Sequence, residues 1–125
     1  MPLVRITLRQ GKAPEFLRGI SAAVHEALVT QAGVPPDDLF HAIDEIPPAN
    51  LIANPTYAGC QRSEDVLFVE ITLNAGRTLD VKRALYADIA ARLGVLGVRP
   101  DDVLVNLVEV QKVDWSFGKG LATYA

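Results

Sequence analysis

The chain has 125 residues, half of them hydrophobic, enough for one domain with its own core. Its formal net charge of −3 excludes the basic face that nucleic acid requires. No apolar run approaches the ~20 residues that span a bilayer, the start lacks the basic and apolar regions of a signal peptide, and Cys60 stands alone; the expectation is a reduced, cytoplasmic protein without an intrachain disulfide.

Residues 2–8 read as a strand, because Leu3, Val4, Ile6, Thr7 and Leu8 are mostly β-branched or aliphatic. Residues 14–32 read as a helix: Phe16, Leu17, Ile20, Val24, Ala27 and Leu28 recur at spacings of three and four. Pro14 suits its first turn and Gly33 its C-terminal stop. Residues 39–46 form a second strand and residues 66–73 a third, apolar enough to be buried on both faces. Thr78 caps a second helix with Asp80 in its first turn, and Val81, Leu85, Ile89 and Leu93 mark one of its faces. Residues 102–110 form a fourth strand.

The elements repeat. Val4-Arg5-Ile6-Thr7-Leu8 returns 65 positions on as Val69-Glu70-Ile71-Thr72-Leu73, and Gly11-Lys12 as Gly76-Arg77. Gly33-Val34-Pro35-Pro36-Asp37-Asp38 returns as Gly97-Val98-Arg99-Pro100-Asp101-Asp102, one position closer. Residues 2–46 and 67–110 are thus two copies of one strand–helix–strand unit. A right-handed crossover joins the parallel strands of each copy, so the expected fold is α+β, a four-stranded sheet with both helices on one face. A ferredoxin-like domain shares this element order and is the alternative. Residues 47–65, with Pro47, Pro48, Pro55 and Gly59, are an insertion that reads as a loop. Residues 113–125 form a tail in which Trp115 and Phe117 precede Gly118 and Gly120, suited to folding over a cleft or a neighbouring subunit.

Wherever the copies differ, symmetry no longer explains the residue. Pro2 corresponds to Leu67. Once Met1 is removed, Pro2 carries a secondary amine able to act as base or nucleophile; α-amines titrate near ~8, and desolvation or neighbouring cations lower that value. The plain alternative is an ordinary proline, a residue common throughout proteins. Lys12 and Arg77 each follow a glycine where a helix is about to start, a place from which a cation can hold a carboxylate; for either alone, a solvated loop charge competes. Asp37, Asp101 and Asp102 read as turn-stabilising aspartates. Asp38 differs because His41 follows three residues on, which makes both candidates for the site. His25 reads as a packing or surface histidine. Trp115 and Phe117 are packing residues or the apolar wall of a site. No residues show metal-ligand spacing, and no cofactor is expected.

In sum, an initiating Met-Pro, a doubled β-α-β unit, Gly33-Val34-Pro35 with Asp38, Gly76-Arg77-Thr78 with Lys82, and the tail Asp114-Trp115-Ser116-Phe117-Gly118 resemble the tautomerase superfamily, nearest its malonate semialdehyde decarboxylase branch. The resemblance covers essentially the whole chain. It implies a homotrimer with sites near subunit interfaces, catalysis by Pro2, carboxylate binding by Arg77, a water-orienting or proton-positioning role for Asp38, and an apolar wall from Trp115 and Phe117. The chain departs from the branch's Arg-x-Arg pattern with Ala75-Gly76-Arg77, carries Lys12 where many members carry arginine, and has Phe40 in place of a tyrosine.

Three functions follow as expectations. In the first, neutral Pro2 moves a proton alpha to the carbonyl of a small oxo acid, held by Arg77 with Lys12, in keto–enol tautomerisation. In the second, cationic Pro2 serves decarboxylation or hydration of a 3-oxo acid such as malonate semialdehyde, with Asp38 handling water. The third is a non-catalytic trimeric interaction protein.

Overall fold

The computed structural model describes residues 1–124; Ala125, the last residue of the expected tail, lies outside them. Strand β1 spans Leu3–Arg9, helix α1 Pro14–Ala32 and strand β2 His41–Ile46. The second copy follows as β3 (Leu67–Asn74), α2 (Leu79–Val95) and β4 (Val103–Val110). The sheet runs β2-β1-β3-β4. β1 pairs with β2 in parallel, as β3 does with β4, so each crossover joins adjacent strands. That adjacency separates the fold from the split β-α-β arrangement of a ferredoxin-like domain.

The two copies meet through one antiparallel pairing, β1 on β3, with Leu3 opposite Thr72 and Thr7 opposite Phe68. Both strands alternate strictly. Val4, Ile6 and Leu8 of β1 and Leu67, Val69, Ile71 and Leu73 of β3 are buried against Ile20, Val24, Leu28, Leu85, Ile89 and Leu93 of the helices. Burying each such side chain contributes roughly 1.5–3 kcal/mol. The opposite face of β3 carries Phe68, Glu70 and Thr72, with Glu70 exposed. β3 is therefore buried on one face rather than two, because its polar positions fall at every second residue.

Local chemistry sets the helix ends. α1 begins with Pro14 in its first turn and stops at Gly33, whose φ of 70° lies in the left-handed region, while Val34 N–H returns to Leu28 O. Thr78 Oγ1 accepts the Val81 N–H at the start of α2. The helices lie side by side, tied by Arg92 of α2 to Glu26 and Thr30 of α1 and by Gln31 of α1 to Asp88 of α2. Residues 47–65 hold two short 3-10 turns and no strand. Among the described residues no helix is long and apolar enough to cross a membrane.

Candidate active site

The antiparallel β1–β3 pairing gives the sheet two equivalent ends. At one, β1 begins and β3 finishes; at the other, β3 begins and β1 finishes. Continuing the register outward from Leu3–Thr72 sets Pro2 beside Leu73 and Met1 beside Asn74. Pro2 is buried, and the Met1 ammonium stands 3.7 Å from Asp38 Oδ2, beyond hydrogen-bond reach.

Asp38 is the first clear break in symmetry. It and its repeat partner Asp102 are the two charged residues buried in the core. Asp102 is fully served: Ser63 N–H donates to Oδ1 at 2.7 Å and Ser63 O–H to Oδ2 at 2.6 Å. Both carboxylate oxygens of Asp38 are sealed from solvent with no hydrogen-bond donor. An ionised carboxylate in that state is costly unless a cation or donor reaches it. Among the described residues, its one oppositely charged neighbour within 4 Å is the amine at the head of β1.

Arg77 is the second break. Its Nε and one terminal nitrogen donate to Ala32 O at 3.1 and 2.9 Å, and the other terminal nitrogen to Asn74 O at 3.1 Å. It thereby caps the C-terminal end of α1, where a cation is favoured. Three of its five N–H groups are spent on carbonyls, two remain, and among the described residues no carboxylate lies within ion-pair distance. Nearby, the Lys82 ammonium is 2.8 Å from Glu109. That bond, with smaller help from the Gly76 N–H and the Arg77 charge, holds the Glu109 carboxyl below its usual range.

The tail returns to this same end. Trp115 Nε1–H donates to Asn74 Oδ1 at 2.8 Å. Trp115 and Phe117 stack with centroids 5.5 Å apart and planes at 16°, and Phe117 lies 5.9 Å from Phe40 and 5.6 Å from Tyr124. Gly118, at φ 146°, and Gly120, at φ 68°, permit the turn that brings Phe117 N–H to Thr123 Oγ1.

Two expected site residues lie elsewhere. Lys12 follows the far end of β1, about 20 Å of strand away from Pro2. It pairs with Asp65 at 2.8 Å on the rim of a cavity of about 460 Å³, which Arg9, Phe16 and Leu67 also line. Pseudo-symmetry carries equivalent residues to opposite corners, so within one chain Lys12 and Arg77 do not converge. His41 is drawn into the helix layer instead: its Nδ1 meets Ser21 Oγ at 2.8 Å and its ring sits edge-on to His25, 5.9 Å away. The strand alternation that exposes Ala42 turns His41 toward α1. Burial, then the His25 charge, pushes its pKa down to about 4. Residue-type reasoning passed over Asn74; the available signal was its repeat partner, Arg9, a different residue type in the same register. Among the described residues, no three His, Cys, Asp or Glu side chains converge where a metal ion would sit.

Two family models, each described as a tautomerase enzyme, match residues 38–118 and 2–60. The chain belongs to the tautomerase family of enzymes. It is 37% identical over 123 residues to the probable tautomerase YusQ of Bacillus subtilis (strain 168), covering 98% of this chain and 97% of the relative. The solved structure of FG41 malonate semialdehyde decarboxylase inhibited by 3-bromopropiolate superposes with a TM-score of 0.92 at 37% identity, covering 98% of this chain and 93% of that one. A fused 4-OT wild type symmetric trimer superposes with a TM-score of 0.81 at 27% identity, over 98% and 97%.

Two outcomes follow from the site's asymmetry. Asp102→Ala lowers the unfolding free energy in urea by about 1.5–3 kcal/mol, because it strips the Ser63 hydrogen bonds to a buried charge, whereas Asp38→Asn leaves stability level or raises it; equal losses would contradict the assignment. For His41, the unfolded chain takes up a proton near pH 6.5 and the folded chain only near 4. Stability therefore falls as pH drops from about 6.5 to about 4 and is flat above that window. His41→Gln flattens this slope in thermal melts; an unchanged slope counts against the reading.

Proposed function

We propose that this chain is an N-terminal-proline acid–base enzyme acting on a small oxo acid. The observation that carries the reading is the contrast between the paired aspartates: Asp102 is satisfied by Ser63, while Asp38 is buried, unserved and 3.7 Å from the amine at the head of β1. Removal of Met1 transfers that amine to Pro2. The two remaining N–H groups of Arg77 take the substrate carboxylate, and the backbone carbonyls that grip the guanidinium fix its direction beforehand. Trp115 and Phe117 supply the apolar wall, which excludes water and strengthens the charge interactions within.

In the tautomerase reading, neutral Pro2 takes a proton from the carbon alpha to the carbonyl, the electron pair moves onto oxygen as an enolate, and a proton returns at oxygen. Arg77 offsets the added negative charge. A second reading is favoured by the place of Asp38. A carboxylate this close stabilises the protonated amine, and cationic Pro2 donates a hydrogen bond to the carbonyl of a 3-oxo acid. The bond to the carboxyl carbon then breaks, carbon dioxide leaves, and its electron pair becomes an enolate that is protonated at carbon; with water held by Asp38 the same arrangement serves hydration. The likeness to a malonate semialdehyde decarboxylase supports this second reading.

The apolar residues left on the open face of the sheet, Leu3, Leu104 and Val108, fit a contact with further copies, and the likeness to a symmetric trimer supports a homotrimer.

The test is the Met1-free chain against a panel of short 2-oxo and 3-oxo acids, with Pro2→Ala beside it. The variant is expected to lose ~10²–10⁴-fold in kcat/KM; undiminished turnover would eliminate the mechanism. Activity that rises with pH through the amine pKa marks Pro2 as the base, and activity that falls marks it as the acid.

A further inference from the structure

The tail that carries Trp115 and Phe117 packs on Phe40 but has few hydrogen bonds to the domain. Among the described residues, the bond from Trp115 Nε1–H to Asn74 Oδ1 is the one hydrogen bond between residues 115–124 and the body of the domain. The other tail bonds are local, joining Trp115 to Lys112, Leu121 to Gly118, Phe117 to Thr123 and Thr123 to Leu121. Asn74 closes β3 at the sheet end where β1 begins. Its main-chain carbonyl holds Arg77. One residue therefore touches both the cation and the aromatic wall.

The indole nitrogen is a donor only. It fixes the orientation of the Asn74 amide, with Oδ1 toward Trp115 and Nδ2 turned away. Nδ2 has no protein partner among the described residues and is not sealed from solvent. Nothing about strand formation asks for asparagine here: it is a poor strand former, and the repeat equivalent, Arg9, spends its side chain on the carbonyls of Pro48, Leu51 and Glu64, which fasten the 47–65 loop. Arg9 pins a segment at one corner, and Asn74 pins a different segment at the other.

We propose that Asn74 is a positioning residue of the candidate site, which sets the aromatic wall through the Trp115 hydrogen bond while its backbone sets Arg77. The proposal rests on the reading of the Pro2 corner as the site. A wall that meets substrate and transition state alike contributes uniform binding, so its displacement raises KM more than it lowers kcat.

Trp115 is the only tryptophan, so its fluorescence reports on this contact directly, without an assay of activity. The experiment compares wild type, Asn74→Ala, Trp115→Phe and the double variant as Met1-free full-length chains, each checked for folding by circular dichroism. Asn74→Asp, which keeps the acceptor, serves as the rescue. The expected result is red-shifted Trp115 emission with increased acrylamide quenching in Asn74→Ala, restored in Asn74→Asp. On any oxo acid that is turned over, kcat/KM falls by about 2–10-fold, chiefly through KM, as fits the loss of one neutral hydrogen bond. In the Trp115→Phe background the Asn74→Ala change adds no further loss, because both remove the same contact. Emission and quenching unchanged in Asn74→Ala, or fully additive kinetic losses, would overturn the proposal. A wild-type chain inactive on every oxo acid would sink the reaction proposed above, and the emission and quenching would then decide the Asn74–Trp115 coupling by themselves.

Discussion

The antiparallel pairing of β1 with β3 is the constraint from which the rest follows. It joins two β-α-β units of similar sequence across their central strands, and the side chains that secure it, Val4, Ile6, Val69 and Ile71, are all at zero exposure. Antiparallel contact between like units makes a pseudo-twofold. The start of each copy then meets the end of the other, and the molecule has two corners of matching design. Gly11 and Gly76, both at positive φ, turn the chain from strand to helix at those two corners.

The corners are equivalent in backbone and opposite in electrostatics. At the corner where β3 begins, the corresponding groups are answered within the chain: Asp102 by Ser63, Lys12 by Asp65, and Arg9 by three backbone carbonyls. At the corner where β1 begins, among the described residues, Asp38 has no hydrogen-bond donor and Arg77 no carboxylate within ion-pair distance. A folded chain tolerates an unserved buried charge where a ligand or a terminal amine completes the set. The proposed site is thus the corner where internal satisfaction is lowest. The 47–65 insertion takes part in this contrast, because Ser63 belongs to it and satisfies Asp102 at the opposite corner.

Much of this was legible in the sequence, for identifiable reasons. The six main elements follow from apolar periodicity, and their parallel pairing from the length of each crossover. The value of Gly33 as a helix stop and Thr78 as a cap rests on local chemistry that tertiary contacts did not override. Within one chain Lys12 and His41 lie apart from Pro2, a separation that proximity in sequence or in the repeat does not reveal. A repeat says which residues are equivalent; the direction of the central pairing says they lie at opposite ends. His41 follows Asp38 by three positions, yet the strand's alternation sends it to Ser21 on α1. Asn74 escaped notice because asparagine at a strand end is ordinary, and its meaning depends on a tail more than 40 residues away.

The central claim is that Asp38 is the counter-charge of the N-terminal amine. The most direct measurement is a ¹⁵N NMR titration of Pro2 in the Met1-free chain, with Asp38 present and with Asp38→Asn. The account predicts that removing the carboxylate lowers the Pro2 pKa, because the cation loses its stabilising partner. A Pro2 pKa identical in the two proteins would contradict it.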